Sequence, residues 1–60
     1  MKIKIEEVWN DTGKSQELAV LDIRPGINPY TTVRNWIYEN RRDLSLADGL
    51  FSHGYYAREI

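Results

Sequence analysis

Between Trp9 and Ser15 the chain reads Asn-Asp-Thr-Gly-Lys, and this segment restricts the fold more than any other. Asn and Asp accept turn geometry, and Gly13 can supply the positive φ of a type I turn with a glycine bulge. Both flanks are strand-like. Ile3 and Ile5 alternate with Lys2, Lys4 and Glu6, a period of two. The phase slips near Glu6 and Glu7, where a bulge, or a sheet covered on both faces, is expected. On the return, residues 17–24 place Ala19, Leu21 and Ile23 on one face, and Leu18, Val20 and Asp22 on the other. A helix from Ser15 is the rival reading there. The β-branched Val20 and Ile23, and the fit to a hairpin, favour a strand. Arg24, Pro25 and Gly26 end it.

A lone hairpin is marginal in water and needs an apolar face covered by another element. The sequence provides one. Asn28 is a good N-cap, and Pro29 stands at the first helical position, where a missing N–H costs nothing. At about 100° per residue, Tyr30, Val33, Trp36, Ile37, Asn40 and Leu44 share a sector, so the helix should run to Asp43 or Leu44. Ile27 is placed to staple back onto that stripe.

Residues 45–60 are more ambiguous. Ser45 and Asp48 have the spacing of a capping box with Asp in place of Glu, whereas Gly49 and Gly54 oppose a long helix. Tyr55 and Tyr56 favour a strand. A short turn or helix is expected, then a third strand that can pair with the hairpin. The fold class is therefore α+β: one small ββα domain over residues 1–60, with a possible C-terminal third strand. Its core would be Ile3, Ile5, Leu21, Ile23, Val33, Trp36, Ile37 and Leu44, plus part of the tail.

Composition excludes several function classes. Eight Lys+Arg against nine Asp+Glu give a net charge of −1, too acidic for a generally basic nucleic-acid binder and too balanced for a DNA mimic. No cysteine is present, so disulfide and thiolate-metal chemistry are absent. Neither a signal peptide nor a membrane-length apolar run can be read, and a cytoplasmic protein is expected.

The catalytic motifs fail on context. Asp11-Thr12-Gly13 spells the triplet of retroviral-type aspartic proteases, but Trp9 and Asn10 precede it where an apolar strand is required. Gly13-Lys14-Ser15 resembles the end of a P-loop, yet Val8 stands where that pattern needs its first Gly. Asn10-Asp11-Thr12 matches a glycosylation sequon, without consequence in a chain that shows no secretory signal. His53 is the only histidine, with Asp43 and Asp48 nearby in sequence, and no spacing completes a metal site. A non-enzymatic protein without cofactor or metal is expected.

Two binding surfaces are readable. Arg34, Tyr38 and Arg41 stand at i, i+4 and i+7 with Arg42 beside them, on one flank of the helix. Arg and Tyr are enriched at hot spots and also suit phosphate contact and base stacking. The alternative is a solvated face whose last arginines complement the helix dipole. Leu50, Phe51, Tyr55 and Tyr56 form a second candidate patch, or complete the core. In size and layout the chain looks like the small bacteriophage accessory proteins that inhibit host or defence enzymes, a resemblance carried by no motif. Three readings follow: a protein-binding module or inhibitor that occludes a host or defence protein, a nucleic-acid-binding module using the arginine flank, and a homodimeric structural protein.

Overall fold

A computed structural model describes residues 1–47 and 52–60. Strand β1 (Lys2–Trp9), strand β2 (Lys14–Asp22), helix α1 (Pro29–Asn40) and strand β3 (His53–Glu59) follow in chain order. The three strands form one sheet in the order β2-β1-β3, and β1 is antiparallel to both neighbours. This is the small α+β fold expected from the hairpin and the capped helix, and the third strand is present.

The hairpin turns where Asn10–Gly13 predicts. The Thr12 and Gly13 amides donate to the Trp9 carbonyl at 3.2 and 2.8 Å, and Gly13 has a φ of 74°. The expected bulge lies across from its expected site. Ile5 faces Ala19 and Glu6 faces Glu17, so the extra residue is Leu18 on β2. The added residue shifts the local phase, and Leu18 packs against the core instead of sharing the exposure of Val20. Glu7 and Val8 point to opposite faces of β1 and both are buried.

Helix α1 begins as its cap dictates. The Asn28 side-chain oxygen accepts from the Tyr30 amide at 2.9 Å and the Thr31 amide at 3.4 Å. The far end is a correction: the helix stops at Asn40, short of Asp43 or Leu44. Arg41 leaves helical geometry with φ −143° and ψ 59°, and its side chain turns back onto β1. Ile27 is also corrected. It is 54% exposed and staples nothing, because the turn closed by its amide onto the Arg24 carbonyl directs it outward.

The core comprises Ile3, Ile5, Ile23, Val33, Ile37, Leu44 and Tyr55, with Leu18, Leu21 and Trp36 packed at its margin. Ile5 is fully buried at its centre. Ala47 is buried as well. Tyr30 and Asn40, which the helical period placed on the stripe, are exposed.

Residues 45–47 do not start a helix. Leu46 forms a parallel bridge to Tyr55, with the Tyr55 amide bonded to Ser45 and the Ala47 amide bonded to Tyr55. Gly54 permits this approach, since a Cβ there would lie 2.3 Å from the Ser45 carbonyl oxygen. Asp48, the other half of the expected capping box, lies outside the described residues. Among the described residues no helix is long and apolar enough to cross a membrane.

Candidate functional site

Two features stand out on the helix-covered side of the sheet. The first is a polar cluster at the turn end of β1. Ile3, Ile5, Glu7 and Trp9 continue one period-two face, so the backbone that buries two isoleucines also buries a carboxylate. Glu7 is 3% exposed and every neighbouring element supplies it with a donor. Gln16 of β2 donates to Oε1 at 2.8 Å. Arg41 donates Nη1 to Oε1 and Nη2 to Oε2, both at 3.2 Å. His53 of β3 places Nε2 at 2.6 Å from Oε2.

An ionised carboxylate only accepts, so the His53 Nε2 carries the proton in this bond. Burial alone would raise the Glu7 pKa. The hydrogen bonds from Arg41, then His53, then Gln16 outweigh it and hold the carboxyl at about 2. Arg41 also grips Asp43 through Nε and Nη2, both at 3.2 Å. That contact first, and Glu7 second, push its guanidinium further above its ordinary value, while Asp43 is lowered mainly by Arg41. The His53 ring stacks on its cross-strand partner Trp9, with centroids 5.1 Å apart and planes 10° from parallel. The cluster ties β1, β2, β3 and the turn after α1 together. Among the described residues no group of three His, Cys, Asp or Glu side chains is placed to hold a metal ion.

The second feature is a divided groove between α1 and the tail. Its polar chamber, about 350 Å3, is lined by Tyr30, Arg34, Tyr38, Arg42, Leu46 and Tyr55, among others. Its apolar chamber, about 260 Å3, adjoins Ile3, Pro29, Val33, Tyr56 and Ala57. Tyr30, Leu46 and Tyr55 border both chambers. The Arg34 guanidinium lies over the Tyr30 ring at 5.7 Å, and Arg42 lies over Tyr38 at 5.0 Å. Among the described residues neither arginine has a carboxylate partner. Tyr55 forms the floor. Burial, reinforced by Tyr30 and opposed by Arg34, raises its phenol pKa.

The residues read as one arginine flank are thus divided. Arg34, Tyr38 and Arg42 meet at the polar chamber. Arg41 is spent on Glu7 and Asp43, because the chain leaves the helix just before it. In the second patch, Tyr55 is 7% exposed and Tyr56 is 42% exposed. Leu50 and Phe51 lie outside the described residues. His53 does not meet Asp43 in the described contacts, where its carboxylate partner is Glu7; Asp48 lies outside the described residues. The sequence reading passed over Glu7, although its place in the Ile3–Ile5 alternation marks it as an acid facing a core.

No protein-family model matches the chain. No curated protein and no solved structure matches it either.

Proposed function

We propose that the protein is a small, non-enzymatic binding module that captures a partner protein on the groove between α1 and β3 and acts by covering the partner's surface. One observation carries this reading: an apolar chamber shares Tyr30, Leu46 and Tyr55 with a chamber lined by two guanidinium groups that have no carboxylate partner among the described residues. A residue-sized apolar recess beside fixed polar groups is how protein surfaces seat an anchor. The anchoring arginines are already held over tyrosine rings, so less side-chain freedom is lost on binding. The polar cluster at Glu7 supports the same view from the other side. Its donors are all engaged within the protein, and it borders neither chamber, which suits a brace better than a reaction centre. Inhibition of a host or defence protein in the manner of small phage accessory proteins belongs to this proposal as its biological form.

Nucleic acid is the weaker reading. Arg34 and Arg42 each occupy one face of the Tyr30 and Tyr38 rings, and among the described residues only these two cations line the polar chamber, few for a phosphate backbone. The test is capture from nuclease-treated lysate, comparing wild type with Leu46→Glu and with Arg34→Glu/Arg42→Glu. The expected result is one protein retained by wild type and lost by both variants, with hydrogen-exchange protection of Tyr30, Leu46 and Tyr56 in the complex. Equal capture by all three proteins, or protection elsewhere, discards the groove.

A further inference from the structure

We infer that the occupant of this groove is an extended segment of the partner protein, which adds to the open edge of β3 and carries an apolar side chain within a few residues of Asp or Glu. The inference rests on the groove reading above and specifies its chemistry.

The edge follows from the hydrogen-bond alternation of β3. The amide and carbonyl of Tyr55 both bond to residues 45–47, so Tyr55 directs its backbone away from β1. Tyr56 and Arg58 pair with Glu6 and Lys4 of β1, and the Ile60 amide bonds to the Lys2 carbonyl. In an antiparallel ladder these roles alternate. Ala57 and Glu59 therefore turn their N–H and C=O groups outward, as Tyr55 does. Among the described residues, only the bridge at Leu46 covers this edge. Tyr56, Ala57, Arg58 and Glu59 are all exposed. An extended segment beside Ala57 would satisfy these groups, the recognition mode in which backbone bonds give affinity and side-chain pockets give specificity.

Side-chain chemistry names the rest. Ala57 itself borders the apolar chamber, so a residue paired beside it lies next to Ile3, Pro29 and Val33. At about 260 Å3 the chamber exceeds the roughly 150 Å3 of an apolar cavity that holds benzene, and so admits one aromatic or branched aliphatic side chain. Leu46 and Tyr55 lead from there to Arg34 and Arg42. These guanidinium groups, with no acidic partner among the described residues, are complementary to carboxylates, which they bind through a planar fork.

The experiment selects a displayed library of random 12-residue peptides on the folded protein, then measures synthetic winners by fluorescence polarisation. The winners are expected to share one large apolar residue within four positions of Asp or Glu. N-methylation of backbone amides should weaken binding at least tenfold at alternate positions and spare those between. Arg34→Glu/Arg42→Glu should weaken it at least tenfold too. Winners without the acidic residue, or insensitive to the arginine changes, overturn the charge assignment. Tolerance of N-methylation at every position overturns strand addition. In both cases loss of binding in Leu46→Glu keeps the groove reading, whereas binding retained in Leu46→Glu discards that reading as well. A failure to enrich any peptide, or tighter binding of a 12-nucleotide single strand of DNA, overturns the proposal.

Discussion

Replacing Glu7 with Gln isolates the charge that the cluster was built around. The carboxyl is held at about 2 in the fold against an ordinary value of 4.5. By linkage, that difference corresponds to about 3 kcal/mol of stability at pH 7. Arg41, its main partner, is 32% exposed, and water screening there reduces the figure to roughly 2–3 kcal/mol. The amide keeps one accepting oxygen and turns an NH2 toward the others: the Arg41 fork, which only donates, loses one of its two bonds, and Gln16 must flip or His53 change tautomer to accept. The same range is therefore expected from the lost bonds. Sixty residues commonly have about 3–9 kcal/mol in total, so Glu7→Gln should leave a weakly folded protein. Urea unfolding near 15 °C, followed by far-UV circular dichroism and tryptophan fluorescence, keeps it measurable.

The pH dependence has a fixed sign. A depressed carboxyl stabilises the fold above its unfolded pKa, and that contribution is lost as pH falls through the folded value. The gap between wild type and Glu7→Gln should be full above about pH 5 and shrink from 4.5 toward 2. Taking the difference cancels the other carboxylates, which titrate in both proteins. A gap under about 0.5 kcal/mol at pH 7, the usual effect of an exposed substitution, would refute the reasoning. So would a gap that stays constant down to pH 2.

Three further outcomes are expected. Asn28→Ala removes the acceptor for the Tyr30 and Thr31 amides and should cost about 0.5–2 kcal/mol in urea unfolding, with faster amide exchange in the first turn. Trp36→Ala should cost about 1–3 kcal/mol, below the roughly 3–5 of a fully buried aromatic, because Trp36 sits at the margin of the core; its fluorescence should be partly quenched by iodide. Gly54→Ala places a Cβ 2.3 Å from the Ser45 carbonyl oxygen and 2.9 Å from the Ala47 nitrogen, so the bridge must move; about 1–3 kcal/mol and lost exchange protection at the Ala47 amide are expected.

Local chemistry was legible in the residues themselves. A turn needing positive φ, a side-chain acceptor before a proline, and two alternating isoleucines each act within a few positions. They placed the hairpin, the start of α1 and most of the core. The candidate arginine flank was legible only in part, since helical spacing relates Arg34 to Tyr38 correctly but assumes that the helix continues to Arg41. It stops at Asn40, and Arg41 then meets Glu7, a residue 34 positions away. Long-range pairing of that kind leaves no periodic trace. Glu7 itself was visible as an acid in phase with Ile3 and Ile5, yet its three donors come from β2, the turn after α1 and β3. The groove belongs wholly to the tertiary structure. Tyr30, Leu46 and Tyr55 are unrelated by any sequence period, and the bridge between Leu46 and Tyr55 makes them neighbours. Sequence by itself determined which elements this protein forms, because propensity, capping and turn geometry are short-range. Only the fold decided which charges are paired among the described residues and which line the groove, because ion pairing and cavity shape depend on where distant segments meet.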